Sequence, residues 1–161
     1  MNYLGIEKSS LNKTIKELNQ LLANYHIYYQ NLRNFHWNIE GENFFDLHEK
    51  FEELYNDARE KIDEIAERIL ILRARPLSEY SSYLDHADVR EAGKIGEDRR
   101  MVQIILENHA EIISNMRSVL RAAEESQDEG TIDMVGGFLE NIEKKSWMLD
   151  AWMTRKTEPV A

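Results

Sequence analysis

Cysteine is absent from the 161 residues, which excludes disulfides and thiolate-held metal and leaves imidazole and carboxylate as the ligand set, one that suits iron, manganese or zinc. Proline occurs twice and glycine seven times, too rarely to punctuate a sheet-rich chain. Leu, Ile, Glu, Lys, Ala and Asn are plentiful instead, and the balance favours long helices. No apolar run approaches the roughly 18 residues of a membrane span. The N-terminal MNYLGIEKSS also has no basic segment leading into an apolar one. A cytoplasmic protein without a membrane partner is expected. Basic residues are the scarcer charge: 20 Lys and Arg against 30 Asp and Glu give a formal net charge of −10, which opposes general attraction to nucleic acid and favours cations.

The remainder is 42% hydrophobic, enough to core one domain spanning residues 1–161, with short tails at about 1–10 and 155–161. Ile15, Leu18, Leu21, Leu22, Tyr25, Tyr28, Tyr29 and Leu32 recur at three- and four-residue steps and predict a first helix over about residues 11–39. NIEGEN around Gly41 breaks it, and a second helix is predicted from about 44 to 73, stopping before Pro76. PLSEYSSYLDHADVREAG reads as a long connection carrying a short helix. A third helix is predicted over about 94–126, a break at Gly130 within QDEGT, and a fourth through IDMVGGFLENIEKKSWMLDAWM. Four long helices with one long middle crossover describe an all-α, ferritin-like four-helix bundle.

The stretch NFHWNIEGENFFDLHEKFEELYNDAREKIDEIAERI, residues 34–69, concentrates metal-ligating side chains. On a wheel of about 100° per residue, Phe51, Leu54, Ala58, Ile62, Ile65 and Ile69 share one side of the second helix. His48, Glu52, Asp63 and Glu67 share another, roughly 140° away. Fifteen residues separate His48 from Asp63, about 22 Å along a continuous helix, whereas ligands of one metal lie within about 2 Å of it. One chain cannot close such a site. Two antiparallel copies about a two-fold axis can, by laying the His36 and His48 end of one over the Asp63 and Glu67 turn of the other. Taken singly, an outward acid on a helix is usually only solvated; the coincidence of HW, the His spacing and D-x-x-x-E on one face carries the metal reading. No histidine has Glu three residues before it, which argues against an ordinary intrachain ferritin centre.

At these residues the sequence resembles the Dps family, the DNA-binding proteins from starved cells or mini-ferritins, with NFHWNIEGENFFDLHEKFEELY, DEIAERI, RPLSEYSSYL and KKSWMLDAW as the matching stretches. The resemblance implies a homododecameric hollow shell that oxidises Fe(II), usually with hydrogen peroxide in preference to oxygen, and stores ferric mineral. It implies metal ligands His36 and His48 from one subunit and Asp63 and Glu67 from its two-fold partner. Where the family often has Asp as a further ligand or near neighbour, this chain has Glu52, one methylene longer, at a second iron of a di-iron site. Trp37 reads either as packing or, by the resemblance, as an interceptor of radicals beside the iron. Trp147, Met148 and Trp152 read as packing. The resemblance also places Glu124, Glu129 and Asp133 around pores through which iron enters; their plain alternative is a solvated turn.

Three functions compete at this level: a ferroxidase and iron store, a DNA-compacting protein, and a shell without redox chemistry. The DNA reading requires exposed cations that release counterions, and the ends offer only Lys8, Arg155 and Lys156. The complete ligand pattern favours the ferroxidase.

Overall fold

The computed structural model describes residues 3–154, and all of its regular structure is helical. The helices are α1 (Asn12–Asn38), α2 (Phe44–Ile71), α3 (Tyr80–His86), α4 (Asp98–Glu125) and α5 (Glu129–Met153), with a short 3-10 turn at Lys8–Leu11 before α1. α1 packs against α2 and α4, α4 against α5, and α3 lies on α1. The short helix thus sits in the crossover between the second and third long helices, as the sequence predicts. The N-terminal segment, expected as a tail, rests on the bundle. Tyr3 donates its hydroxyl to Ile71 O at 2.6 Å, and Leu4 and Ile6 pack on the core. Arg155 and Lys156 lie outside the described residues.

Each boundary has a local cause. α1 ends where Ile39 turns extended, and Gly41, at φ 101°, supplies a turn that a side chain would strain. α2 stops at Ile71, two residues short of expectation, because Arg73 takes a left-handed conformation and Ala74 N–H closes back on Ile69 O at 3.1 Å. α4 begins at Asp98 and not near 94, since Gly93 is left-handed and Glu97 is still extended.

The break between α4 and α5 is not at Gly130. Gln127 takes the left-handed position (φ 55°), Asp128 N–H bonds Ala123 O, and the Asp128 side chain caps α5 by accepting from Thr131 N. Gly130 lies inside the first turn of α5 for a different reason. A Cβ there would come within 2.7 Å of the Arg68 guanidinium. That guanidinium donates to the fully buried Asp128 at 2.5 Å and to Thr131 Oγ1 at 2.9 Å, tying the turn to α2.

Phe51, Leu54, Ala58, Ile65 and Ile69 of α2 are buried as the wheel requires, while Ile62 is half-buried at the flank of the stripe. They meet Leu18, Tyr25, Leu32 and Phe35 of α1 in one core completed by α4 and α5. The α1–α4 seam is polar at intervals and fixes the antiparallel register. Thr14 meets Ser126 (3.2 Å), Asn24 meets Asn115 (3.1 Å), Tyr28 meets His109 (2.8 Å) and Asn31 meets Asn108 (2.9 Å). The same asparagines hold the crossover. Asn24 Oδ1 accepts from Asp88 N and Val89 N, and Asn31 bonds Ala92 N and Arg90 O. A crossover that long needs such anchors, because its own backbone groups find no sheet or helix partners.

Candidate metal centre

The end of α1 and the first turns of α2 bring His36 and His48 into parallel contact, ring centroids 3.8 Å apart at 18°. Each Nδ1 lies 2.7 Å from the other residue's backbone carbonyl, His36 Nδ1 on His48 O and His48 Nδ1 on His36 O. A carbonyl only accepts, so both rings carry their proton on Nδ1. Both lone pairs are therefore on Nε2. Fixing one ring nitrogen by a backbone acceptor so that the other is oriented is how proteins present imidazole to a metal. Phe44 stacks on His48 at 4.9 Å and Tyr55 sets its edge against His36 at 5.2 Å, clamping the pair.

Acidic candidates lie further along α2. Glu52 is exposed and accepts from Tyr55 Oη at 3.4 Å, a long hydrogen bond. Burial and then the nearby Glu52 carboxylate raise the Tyr55 phenol's pKa. Asp63 and Glu67 are exposed on the same outward side. Within one chain the structure unites His36 with His48 and brings neither Asp63 nor Glu67 to them. Among the described residues no three His, Asp or Glu side chains gather where one metal ion would bind.

Trp37 follows His36 but points away from the core, 57% exposed, with the Arg33 guanidinium 4.8 Å over its ring. Within the chain it is not a packing residue. Trp147 and Met148, expected to pack, are 66% and 47% exposed within the chain, whereas Trp152 packs on the core. Glu124, Glu129 and Asp133 are all exposed around the α4–α5 turn.

The bundle interior holds a second polar group that the sequence did not announce. Asp57 bridges Lys61 (2.5 Å) and Lys145 (2.7 Å), and Lys61 also donates to Asn141 Oδ1. Beside them runs a relay. Ser146 Oγ donates to Ile142 O, so it accepts from His109 Nδ1, and His109 Nε2 accepts from Tyr28. Burial, reinforced by the Lys145 ammonium, pushes the His109 pKa down to about 3. Burial would raise the Asp57 carboxyl, yet Lys145 and Lys61 outweigh it and hold it below the usual range. The ammonium groups of the buried Lys61 and the partly buried Lys145 thus hold Asp57 between α2 and α5. The spacing of Lys61, Asp57 and Lys145 carried no signal of this, because only the fold brings α5 to α2.

A family model for the ferritin-like domain matches residues 15–157. The DNA protection during starvation protein of Porphyromonas gingivalis is 40% identical over 151 residues, covering 94% of this chain and 95% of its own length. The chain belongs to the Dps family. A second relative of that name, from Brevibacillus brevis, is 38% identical over 136 residues, covering 84% of this chain and 91% of its own. The crystal structure of the Dps protein of Vibrio cholerae, a member of a broad superfamily of ferritin-like diiron-carboxylate proteins, superposes with a TM-score of 0.93 at 41% identity, covering 96% of this chain and 97% of that one. Membership places this Dps chain among the iron-storing mini-ferritins, and no described helix is long and apolar enough to cross a membrane.

Proposed function

We propose that the protein is a ferroxidase and iron store, a cytoplasmic homododecamer in which each two-fold pair of subunits shares two iron sites. One observation carries this reading: the reciprocal Nδ1 bonds of His36 and His48 fix two Nε2 lone pairs side by side, and no third ligand joins them among the described residues of their own chain. Asp63 and Glu67 of the partner subunit complete the set. Nitrogen and carboxylate donors hold both Fe(II) and Fe(III), and a site split between chains keeps open positions for an oxidant.

Iron is substrate here. Two Fe(II) each give one electron to one hydrogen peroxide, whose O–O bond breaks and, with two protons, leaves two waters. Peroxide and ferrous iron are removed together. Glu52 is the candidate further ligand of the second iron, Trp37 the candidate radical interceptor, and Glu124, Glu129 and Asp133 the candidate entry for Fe(II). DNA is not the expected partner, since a shell of twelve chains carries about −120 formal charge, against the exposed cations that counterion release requires.

The test is subunit mixing. A chain with His36→Ala and His48→Ala and a chain with Asp63→Ala and Glu67→Ala are each expected to lose oxidation. Dissociated, mixed and reassembled, half of the dimers become mixed and each regains one intact site, about a quarter of the wild-type site number. Verified mixed dimers without recovered oxidation overturn the shared site.

A further inference from the structure

Where α1, α2 and the start of α3 meet, six polar side chains converge on a cavity of about 200 Å³: His26, Tyr29, Gln30 and Arg33 of α1, Arg59 of α2 and Tyr80 of α3. No Asp or Glu lines it, in a chain that has 30 of them. None of the six side chains makes a hydrogen bond or an ion pair with a described residue. Ring contacts hold them instead. His26 lies parallel to Tyr83 with centroids 3.8 Å apart, and the Arg33 guanidinium sits over Tyr29 at 5.1 Å and over Trp37 at 4.8 Å.

The donor inventory decides which ligand fits. Guanidinium groups only donate, and the phenols and the Gln30 amide can donate as well. Burial pushes the His26 pKa down to about 4, so the ring is neutral at pH 7 and the fixed charge of the cavity is that of its two arginines. Arg33 is half-buried, and a guanidinium withdrawn from water without an oxygen acceptor is costly to leave unpaired. Its seat on Tyr29 and Trp37 orients it without consuming a carboxylate, which leaves its N–H groups for a ligand. A cation would meet two like charges here, and an apolar molecule would strand the donors. Several oxygens on one charged centre satisfy both arginines at once.

We propose that this cavity binds an oxyanion of the phosphate class, free or as a monoester, held by Arg33 from α1 and Arg59 from α2, with the Tyr29 and Tyr80 hydroxyls donating to its remaining oxygens. The site lies within one chain and needs neither iron nor a partner subunit. Bound phosphate bridges α1 to α2 where no side-chain hydrogen bond of these six does so. Tyr29 meets Tyr55 edge-on at 6.0 Å and Tyr55 meets His36 at 5.2 Å, so the anion sits a few ring contacts from the histidine pair.

The test is equilibrium dialysis of the assembled, iron-free protein against labelled inorganic phosphate at constant ionic strength, so that neither ferric ion nor bulk salt accounts for uptake. One phosphate per subunit is expected, with a Tm that rises as phosphate is added. Arg33→Gln with Arg59→Gln is expected to weaken binding by about tenfold or more and to remove the Tm rise, at unchanged helicity by circular dichroism. Arg59→Gln alone, at an exposed position, is expected to weaken it by about threefold or more and reads the site even where Arg33→Gln disturbs the ring contacts. Lys16→Gln with Lys144→Gln removes the same charge from exposed positions elsewhere, and binding is expected to stay within about twofold of wild type. Phenyl phosphate is the second probe: tighter binding than inorganic phosphate assigns the cavity to phosphate esters whose organic part packs on its rings, and equal binding assigns it to the free ion. Equal loss in the arginine and lysine variants overturns the site. Absence of phosphate uptake by the assembled protein also overturns it and leaves the arginines to a carboxylate of a neighbouring subunit.

Discussion

The α1–α4 seam and the outward stripe of α2 are both rich in polar side chains, but they differ in how those groups are satisfied. In the seam each asparagine is answered within the chain: Asn24 bonds Asn115 and two crossover amides, and Asn31 bonds Asn108, Ala92 and Arg90. Where α1 meets α2, the two histidines bond through their Nδ1 atoms, while along α2 Asp63, Glu67 and Arg59 face outward without a partner among the described residues. Closed polar networks specify register and stability. Open ones, aligned by closed bonds behind them, mark where something arrives from outside.

The sharpest way to break this contrast is to cut each region and measure both properties. His36→Ala with His48→Ala is expected to lower the oxidation rate by about 100-fold or more, since both nitrogen ligands disappear, while dodecamers still form by size exclusion. Equal rates in wild type and double variant would show that the stripe is ordinary surface. Asn24→Ala is expected to do the reverse. It strands Asn115 and the amides of Asp88 and Val89 and costs about 2–4 kcal/mol in urea unfolding, with the oxidation rate per folded shell unchanged within about twofold. A loss below about 0.5 kcal/mol would mean that water replaces the asparagine and that the seam does not set the register.

Most of the fold was legible because helical periodicity is local, and the apolar stripe of α2 reappears as its buried face. Helix ends were less so. At Gln127 and Arg73 non-glycine residues take left-handed conformations, and Gly130 is dictated by Arg68, sixty-two residues earlier in the chain. The outward placement of Asp63 and Glu67 followed from angles alone. The mutual Nδ1 bonds of the histidines did not, because they depend on how the loop after Asn38 returns the chain. The Asp57, Lys61 and Lys145 cluster was hidden for the same reason: its members come from two helices that sequence spacing does not relate.

A smaller effect separates the buried interior from the open stripe by pH. His109 titrates at about 3 when folded, first because it is buried and then because of Lys145, and near 6.5 when unfolded. Below pH 6.5 the unfolded chain therefore binds the proton that the folded chain refuses. Stability falls as pH drops from about 6.5 toward the folded value, by at most about 1.4 kcal/mol per pH unit for this residue. Asp57, held low by its lysines, keeps its contribution until pH falls below the ordinary carboxylate range. Unfolding midpoints measured from pH 7 to 5 should decline in wild type and decline less in His109→Gln. Parallel slopes for the two proteins would show that the buried relay takes up protons without unfolding.

The smallest expected effect concerns Glu124, Glu129 and Asp133, whose turn is anchored by the Arg68–Asp128 pair while their own carboxylates stay exposed. Exposed acids of this kind are no part of the seam's closed network, and they hold no ordered ligand set like that of the histidines. Their action is a field that raises the local concentration of Fe(II), and salt screens such a field over about 10 Å at 0.1 M. Replacing all three by their amides keeps shape and removes charge. Uptake at low Fe(II) and low salt is then expected to slow by about threefold, the difference shrinking as salt rises and vanishing once iron saturates the sites. If the slowing persists at saturating iron, the acids act on the oxidation step itself and belong with the α2 site. If uptake at low iron is unchanged, the turn is solvated surface and iron enters elsewhere.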